Sequence, residues 1–510
     1  MKQKFQEHKD QQWIILSKRG RMSPLPNVYS MEAITTLTPQ FLDGLTYKKM
    51  LLTFQNREMY CIVDKESYDL IEKAGIAPVR KNPKLFTERI AEIKIQAKEL
   101  LDWLKTLHQK NLSSVNDQEL INIYEKYRAA YKEIYGRYFT IIILERALTA
   151  HLQSILKNKA SEKDAASAFT LLTSELGAMH TKNEERERLQ IAVEIAKQKL
   201  LLELFEKDIE TIEQELAQYP DTEVLLNNHT EKYFWITRDY EDSISTKKDF
   251  ITKIKEVLQD KNLALKAEET KNEEKNLKEK RESVEKELQL TEQEINDFAL
   301  MREGIYLKEL RKSIVSQSLY YFDYILEEMQ RRTNLPLHLL RMMLPNDLEP
   351  IIIEKQPYQE KLEQRYKKSV YVMEEGMHTL YEGKEAEELF NAVVSVDKNV
   401  TSLKGISASA GIAQGPARIV KHPSDFDKVQ DGDIMITVQA VPSFIHTLRK
   451  CKGLVADGGS GITSHPATLA REVGIPCVVQ TKTATEILKD GDIVEVDGNL
   501  GIIKIIKRKT

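Results

Sequence analysis

His465 lies in the run Asp457-Gly458-Gly459-Ser460-Gly461-Ile462-Thr463-Ser464-His465-Pro466-Ala467-Thr468-Leu469-Ala470-Arg471-Glu472. An imidazole is partly neutral near pH 7, so it can attack phosphorus and later depart as a good leaving group. Glycines and two hydroxyl residues precede it, and a helix is predicted to follow. Pro466 suits the first helical position, where a missing N–H costs nothing and φ is already set. Ser464 or His465 is then the N-cap. The free amides beyond it, helped by the helix dipole, can hold phosphate oxygens. The same spacing also fits an ordinary serine-type helix cap with no chemistry.

The flanking residues bear on that choice. Thr463-Ser464-His465, Ala467, Ala470-Arg471-Glu472 and Gly474-Ile475-Pro476-Cys477-Val478-Val479 resemble the signature of the swivelling phosphohistidine domain. That domain occurs in phosphoenolpyruvate-utilising enzymes such as phosphoenolpyruvate synthase, pyruvate phosphate dikinase and rifampicin phosphotransferase. Gly411 to Ile419 resembles the family's opening strand pair. Gly432 to Thr437, followed by Pro442, resembles the strand and turn before the carrier loop. Ala484 to Asp492 and Val494 to Gly498 resemble its closing section. About 105 residues are covered in family order. One departure stands out: the family has two adjacent glycines ending three residues before the Ser-His pair, where this chain reads Ser460-Gly461 after Gly458-Gly459. Gly461 can keep the positive φ of a tight turn.

The resemblance implies that His465 carries the phosphoryl group and that Gly461, Thr463 and Ser464 shape its loop. It implies a donor on a separate partner, an ATP-grasp protein that phosphorylates His465 from the β-phosphoryl of ATP or else a phosphoenolpyruvate site, with Mg2+ accompanying the nucleotide on that partner and no metal site on this chain. A small-molecule hydroxyl is the expected acceptor, pyruvate the less favoured one. In pyruvate phosphate dikinase relatives the threonine matching Thr463 can be a regulatory phosphorylation site; a loop hydroxyl is the simpler role. Arg471 falls on a different helix face from His465, six residues at about 100° each, which suits packing or an ion pair. Asp433 and Asp497 sit beside glycines and read as turn formers.

Stepping outward to the elements, a chain of 510 residues is long enough for several domains. Its net charge of −4 offers no basic stripe for nucleic acid. Three scattered cysteines, Cys61, Cys451 and Cys477, argue for a reducing cytoplasm and against a disulfide framework. Residues 1–10 are polar, with no secretory signal, and Thr140-Ile-Ile-Ile-Leu144 reads as a short buried segment rather than a membrane span. A soluble, cytoplasmic protein with neither a nucleic-acid nor a membrane partner is expected.

Glycine marks the main boundary, since twelve of the twenty lie at or after Gly405. The expected fold class is multidomain α+β: a long, mostly helical domain followed by a C-terminal swivelling β/β/α phosphohistidine domain. Residues 1–80 read as a small mixed strand-helix module. Residues 81–393 read as helical, with one amphipathic helix from Leu200 to Leu216 and a long exposed coiled-coil-like arm, helix or hairpin, at about 253–298. Residues 394–403 are the natural swivel linker, and 404–510 the phosphohistidine domain.

Two helical stretches, His229 to Tyr240 and Met301 to Tyr324, resemble segments of stand-alone phosphohistidine proteins and of the rifampicin phosphotransferase type. In that resemblance they could line an acceptor pocket, with His229 as base, Arg302 or Arg311 on phosphate, and Trp235 stacking on substrate. A helix-cap histidine and core aromatics are the plainer alternative. The chain contains no G-x-x-x-x-G-K-[ST] loop, no ATP-grasp pattern and no barrel that would handle phosphoenolpyruvate or pyruvate. A second class of function, a phosphorylation-dependent regulatory or scaffold protein using the helical arm for partner binding, stays open beside the phosphotransferase; so does a role of the helices in oligomerisation alone.

Overall fold

The computed structural model describes residues 2–20, 22–55, 58–175, 180–238, 244–374, 376–394, 397–440, 444–459 and 464–509, apart from the side chains of 162, 163 and 166. The chain is α+β and divides into two compact units. One unit holds residues 1–36, 46–70 and 329–510; the other holds 37–45 and 71–328.

In the first unit, five strands form an antiparallel sheet: β1 (Trp13–Arg19), β2 (Lys49–Gln55), β3 (Glu58–Asp64), β4 (Ser369–Glu374) and β5 (Met377–Glu382), in the order β1-β3-β2-β4-β5. The sequence expectation assigned 369–382 to the helical stretch, and the structure corrects it. β4 is buried on both faces, so it lacks the polar-apolar alternation by which a strand is recognised. Gly376, at φ 80°, supplies the left-handed turn into β5. The apolar side chains of this sheet, including Leu51, Tyr60, Ile62, Val370 and Val372, pack with Ala386 and Leu389 of the helix Gly383–Val393.

The second unit is helical. Its longest described helices are Asp117–Lys157, Leu263–Glu287 and Glu292–Thr333. Asp117–Lys157 opens on a reciprocal cap between Asn116 and Glu119. Thr140–Leu144 is a mostly buried part of this helix, which is long and apolar enough to cross a membrane by composition. Only 44% of its most apolar window is buried. Tyr127 stacks on Phe322 with ring centroids 4.1 Å apart. The single helix expected over 200–216 is two, Lys199–Glu206 and Ile209–Glu215, because Asp208 caps a new start by accepting from Thr211 N at 2.9 Å. The expected arm is a helical hairpin, Leu263–Glu287 turning at Gln289 (φ 48°) into Glu292–Thr333. Leu263–Glu287 packs along Glu162–Thr173 and His180–Ala196, yet Leu263 is its one buried residue and most of its charged side chains are exposed.

The C-terminal part of the first unit carries β6 (Ser402–Lys404), β7 (Ile406–Ser409), β8 (Ile412–Ile419), β9 (Ile434–Thr437), β10 (Gly453–Ala456), β11 (Cys477–Val479), β12 (Ile493–Asp497) and β13 (Ile502–Lys507). Their order is β6-β13-β12-β8-β9-β10-β11-β7. β8 to β11 are mutually parallel, and the outer pairs are antiparallel. The central strands obey a period of two on a sheet covered on both sides. Met435, Leu454, Ala456, Cys477 and Val479 face one core with Ala467, Leu469 and Ala470 of the helix His465–Val473. Ile434, Ile436, Val455 and Val478 face the other, with Ile487, Val494, Val496 and Ile503. Of the expected linker, Val394 is buried and 395–396 lie outside the described residues. Arg508 Nη2 donates to the carbonyls of Lys398 and Val400 at 2.9 and 3.2 Å.

Candidate functional site

β10 enters a loop at Asp457, and the chain returns through the helix His465–Val473 to the parallel strand β11. This strand-helix-strand crossover places the helix N-terminus beyond the carboxyl ends of parallel strands, where open α/β sheets form their sites. The helix begins at His465 itself, with Pro466 second and Ser464 as the extended N-cap (φ −72°, ψ 157°). Pro466 is therefore one position later than expected, still within the first turn, where it removes no intrahelical bond. Ser464 is buried and His465 is exposed. Gly474, left-handed at φ 80°, closes the helix. The expected loop residues Gly461 and Thr463, and Pro442 upstream, lie outside the described residues.

What anchors this loop was not read from the sequence. Asp457, fully buried, accepts from Thr481 Oγ1 at 2.8 Å and from the amide of Thr485 at 3.2 Å; the Ala484 amide and the Thr485 hydroxyl also donate to it. A buried carboxylate needs such donors. Two residues on, Gly459 has φ 106°, and a Cβ there would sit 3.0 Å from Ser464 Oγ. Gly459 thus lies against the serine before His465. An Asp-Gly-Gly step after an apolar strand is the signal that could have pointed to this anchor. Arg471 Nη1 donates to the Ala408 carbonyl at 2.8 Å, the packing role expected of it. Asp433 accepts from Arg418 Nε at 2.9 Å and Gln430 N at 3.0 Å, and Asp497 from the amides of Asn499 and Leu500 at 3.0 Å. Both are turn formers.

Lys18, also unmarked in the sequence, reaches the same anchor from β1. Its Nζ is fully buried, 2.8 Å from Thr485 Oγ1, 2.6 Å from Glu486 Oε1 and 3.6 Å from Asp457 Oδ2. Burial pushes an ammonium pKa down, yet here Asp457 first, then Tyr60, Glu58 and Glu486, outweigh it and hold Lys18 charged well above its ordinary range.

The helical unit contains a separate cavity of about 730 Å³. Trp235, Tyr233, Asn183, Arg186, Gln190 and Lys232 are among the residues that line it. Arg186 Nη2 is buried there with no hydrogen-bond partner among the described residues. Of the four acceptor-site candidates only Trp235 borders this space. His229 does not: it is fully buried, its ring nitrogens 3.2 Å from Glu187 and 3.4 Å from Glu184, so no substrate proton can reach it. Arg302 is turned to the Leu172 carbonyl at 2.7 Å, and the Arg311 guanidinium lies over the Tyr138 ring at 4.7 Å. Among the described residues no group of three or more His, Cys, Asp or Glu side chains is arranged to hold a metal.

Comparison with known proteins bears on the C-terminal part above all. Residues 429–501 match the family described as PEP-utilising enzyme, mobile domain. Over 440 residues, 80% of this chain, the sequence is 28% identical to the uncharacterized phosphotransferase YvkC of Bacillus subtilis strain 168, of which it covers 52%. A probable phosphoenolpyruvate synthase of Methanothermobacter thermautotrophicus is 43% identical over 101 residues, 20% of this chain and 15% of that one. The chain therefore spans about half the length of the first relative and far less of the second. A solved structure of Enzyme I aligns with 68% of this chain and 81% of its own at 15% identity, with a TM-score of 0.16.

Proposed function

From a chain that belongs, through its C-terminal domain, to the phosphoenolpyruvate-utilising enzymes, we propose a phosphotransferase component that carries a phosphoryl group on His465. The observation that carries this reading is an exposed histidine at the mouth of a helix, beyond parallel strand ends, on a loop tied down by a buried aspartate. Exposure lets the imidazole meet phosphorus. The helix N-terminus offers amides and a favourable dipole to the phosphate oxygens. The imidazole lone pair attacks in line as the donor's bridging oxygen leaves, and an acceptor hydroxyl later displaces the imidazole in the same geometry.

Each transfer needs a pocket that positions its substrate and excludes water, so one carrier serves two sites by moving between them. The donor site belongs to a separate ATP-grasp protein, which binds ATP with Mg2+. The acceptor is a small molecule held in the helical unit, where the cavity beside Trp235, lined also by Arg186 and Lys232, supports a polar or anionic ligand. The chain works in the cytoplasm, with neither nucleic acid nor membrane as partner.

The test is transfer of label. The chain is incubated with the candidate ATP-grasp protein and ATP labelled at the β-phosphate, and in parallel with labelled phosphoenolpyruvate. Acid-labile, base-stable label is expected on the native chain and none on His465→Ala. Label that persists in the variant, or a native chain that takes none from either donor, overturns the reading.

A further inference from the structure

The C-terminal domain meets the five-stranded sheet through four charges that alternate around a ring. Lys18 and Glu58 come from β1 and β3; Lys421 and Glu486 come from the C-terminal domain. Lys18 Nζ lies 3.3 Å from Glu58 and 2.6 Å from Glu486, and Lys421 Nζ lies 2.8 Å from Glu58 and 3.8 Å from Glu486. Each cation thus touches both anions. Two of the four contacts, Lys18–Glu486 and Glu58–Lys421, cross between the bodies, and the other two lie within one body each. Lys18 is wholly buried by this arrangement. Beside the ring the backbones nearly touch: a Cβ on Gly458 would fall 2.7 Å from the Lys18 carbonyl oxygen, and one on Gly20 would fall 3.8 Å from Val438 Cγ1.

We propose that this ring is a reversible ionic latch that parks the C-terminal domain on the N-terminal sheet. The argument is one of chemistry. An apolar interface holds in proportion to the area it hides and has no low-cost open state. A ring of ion pairs recovers hydration when it opens, so its closed and open states lie close in free energy, while its geometry still fixes one register. That suits a contact which must form accurately and also break. Lys18 lies 3.6 Å from Asp457, the first residue of the loop that leads to His465, so the latch grips the domain at the base of that loop. The latch rests on the moving-carrier reading for its purpose, but its existence is measured without any phosphoryl transfer.

Gly20→Cys and Val438→Cys in the full chain form a reporter pair, since in the docked register a Cβ at position 20 falls 3.8 Å from Val438 Cγ1, near where a cysteine sulfur at 438 would sit. The rate of disulfide formation under a mild oxidant then reads docking. Against that parent, Glu58→Lys and Lys421→Glu, each alone, replace an attraction across the interface by a repulsion and are expected to slow trapping by about tenfold. The double variant Glu58→Lys with Lys421→Glu restores the crossing pair and leaves Lys18–Glu486 intact, so trapping returns to within about threefold of the parent. Rising salt slows the parent and leaves the single variants nearly unchanged. Trapping indifferent to either reversal, reversals that add instead of cancelling, or a parent pair that never forms its disulfide each overturns the latch. Labelling of His465 is scored separately on the cysteine-free latch variants, so failure of the latch and failure of the phosphoryl-carrier reading show in different readouts.

Discussion

Gly459 packs against Ser464, the residue before the candidate histidine. Its φ of 106° is strained for any L side chain, and a methyl group there would crowd Ser464 at 3.0–3.2 Å. Gly459→Ala is expected to lower stability by about 1–3 kcal/mol in a denaturant titration. It should also slow labelling of His465, because the serine preceding it must shift; an unchanged labelling rate would mean that the loop's path is not set here. The helix start at His465 was legible in the sequence because a histidine beside a proline and hydroxyls is a local pattern. Asp457 and Lys18 were not, because their meaning depends on groups 24 to 468 positions away, Thr481, Thr485 and Glu486. His229 failed for the same reason. Its sequence neighbourhood offered a base, while the fold seals it between Glu184 and Glu187 on another helix.

At the scale of elements, the joint between the helix Gln359–Lys367 and the five-stranded sheet turns on Arg365. This guanidinium is buried and pairs with the buried Asp347 at the turn Pro345–Asp347; Nη2 reaches Oδ1 at 3.2 Å and Nε reaches Glu382 at the end of β5 at 2.7 Å. Desolvation would raise the Asp347 pKa, but Arg365 overrides it and holds the carboxyl below its ordinary range. Arg365→Met would strand a buried carboxylate, and a loss of about 3–5 kcal/mol is expected. The pH sign follows from the direction of the shift. Because Asp347 is more acidic folded than unfolded, its contribution is present above the ordinary carboxyl value of 3.8 and fades as pH falls through the lower folded value. Native chain should therefore lose stability on acidification below about pH 4 more steeply than Arg365→Met does. Equal acid slopes would remove this pair from the account. Elements as a class were legible where glycines bound short apolar runs, as around β9 to β11, and where glycine thins out into helices. β4 escaped because a strand covered on both faces loses its period, and the break at Asp208 escaped because a cap within an apolar run leaves the helical spacing intact.

For the whole molecule, the question is how freely the C-terminal domain leaves the sheet once the latch opens, and Arg508 governs the answer. Its guanidinium ties the carbonyls of Lys398 and Val400 to the domain while also bonding Ile487 O at 2.7 Å and Asp492 Oδ2 at 3.2 Å. The second half of the expected swivel segment is therefore bonded to the C-terminal domain. Composition shows a polar linker but not which of its residues the domain claims, so this division could not be read in advance. Loop-closure cost grows as about (3/2)RT times the logarithm of tether length, so a doubling of that length costs about 0.6 kcal/mol. Arg508→Gln should release that second half. In the parent disulfide reporter, where the domain is mostly docked, the trapping rate should scarcely change. In the Glu58→Lys background, where the undocked state dominates, the same substitution should slow trapping by about threefold, because redocking must close a longer loop. A fall of equal size in both backgrounds would mean that Arg508 acts on the docked contact itself. No fall in the weakened background would mean that the tether is already long without the substitution, and that the domain's range is set elsewhere.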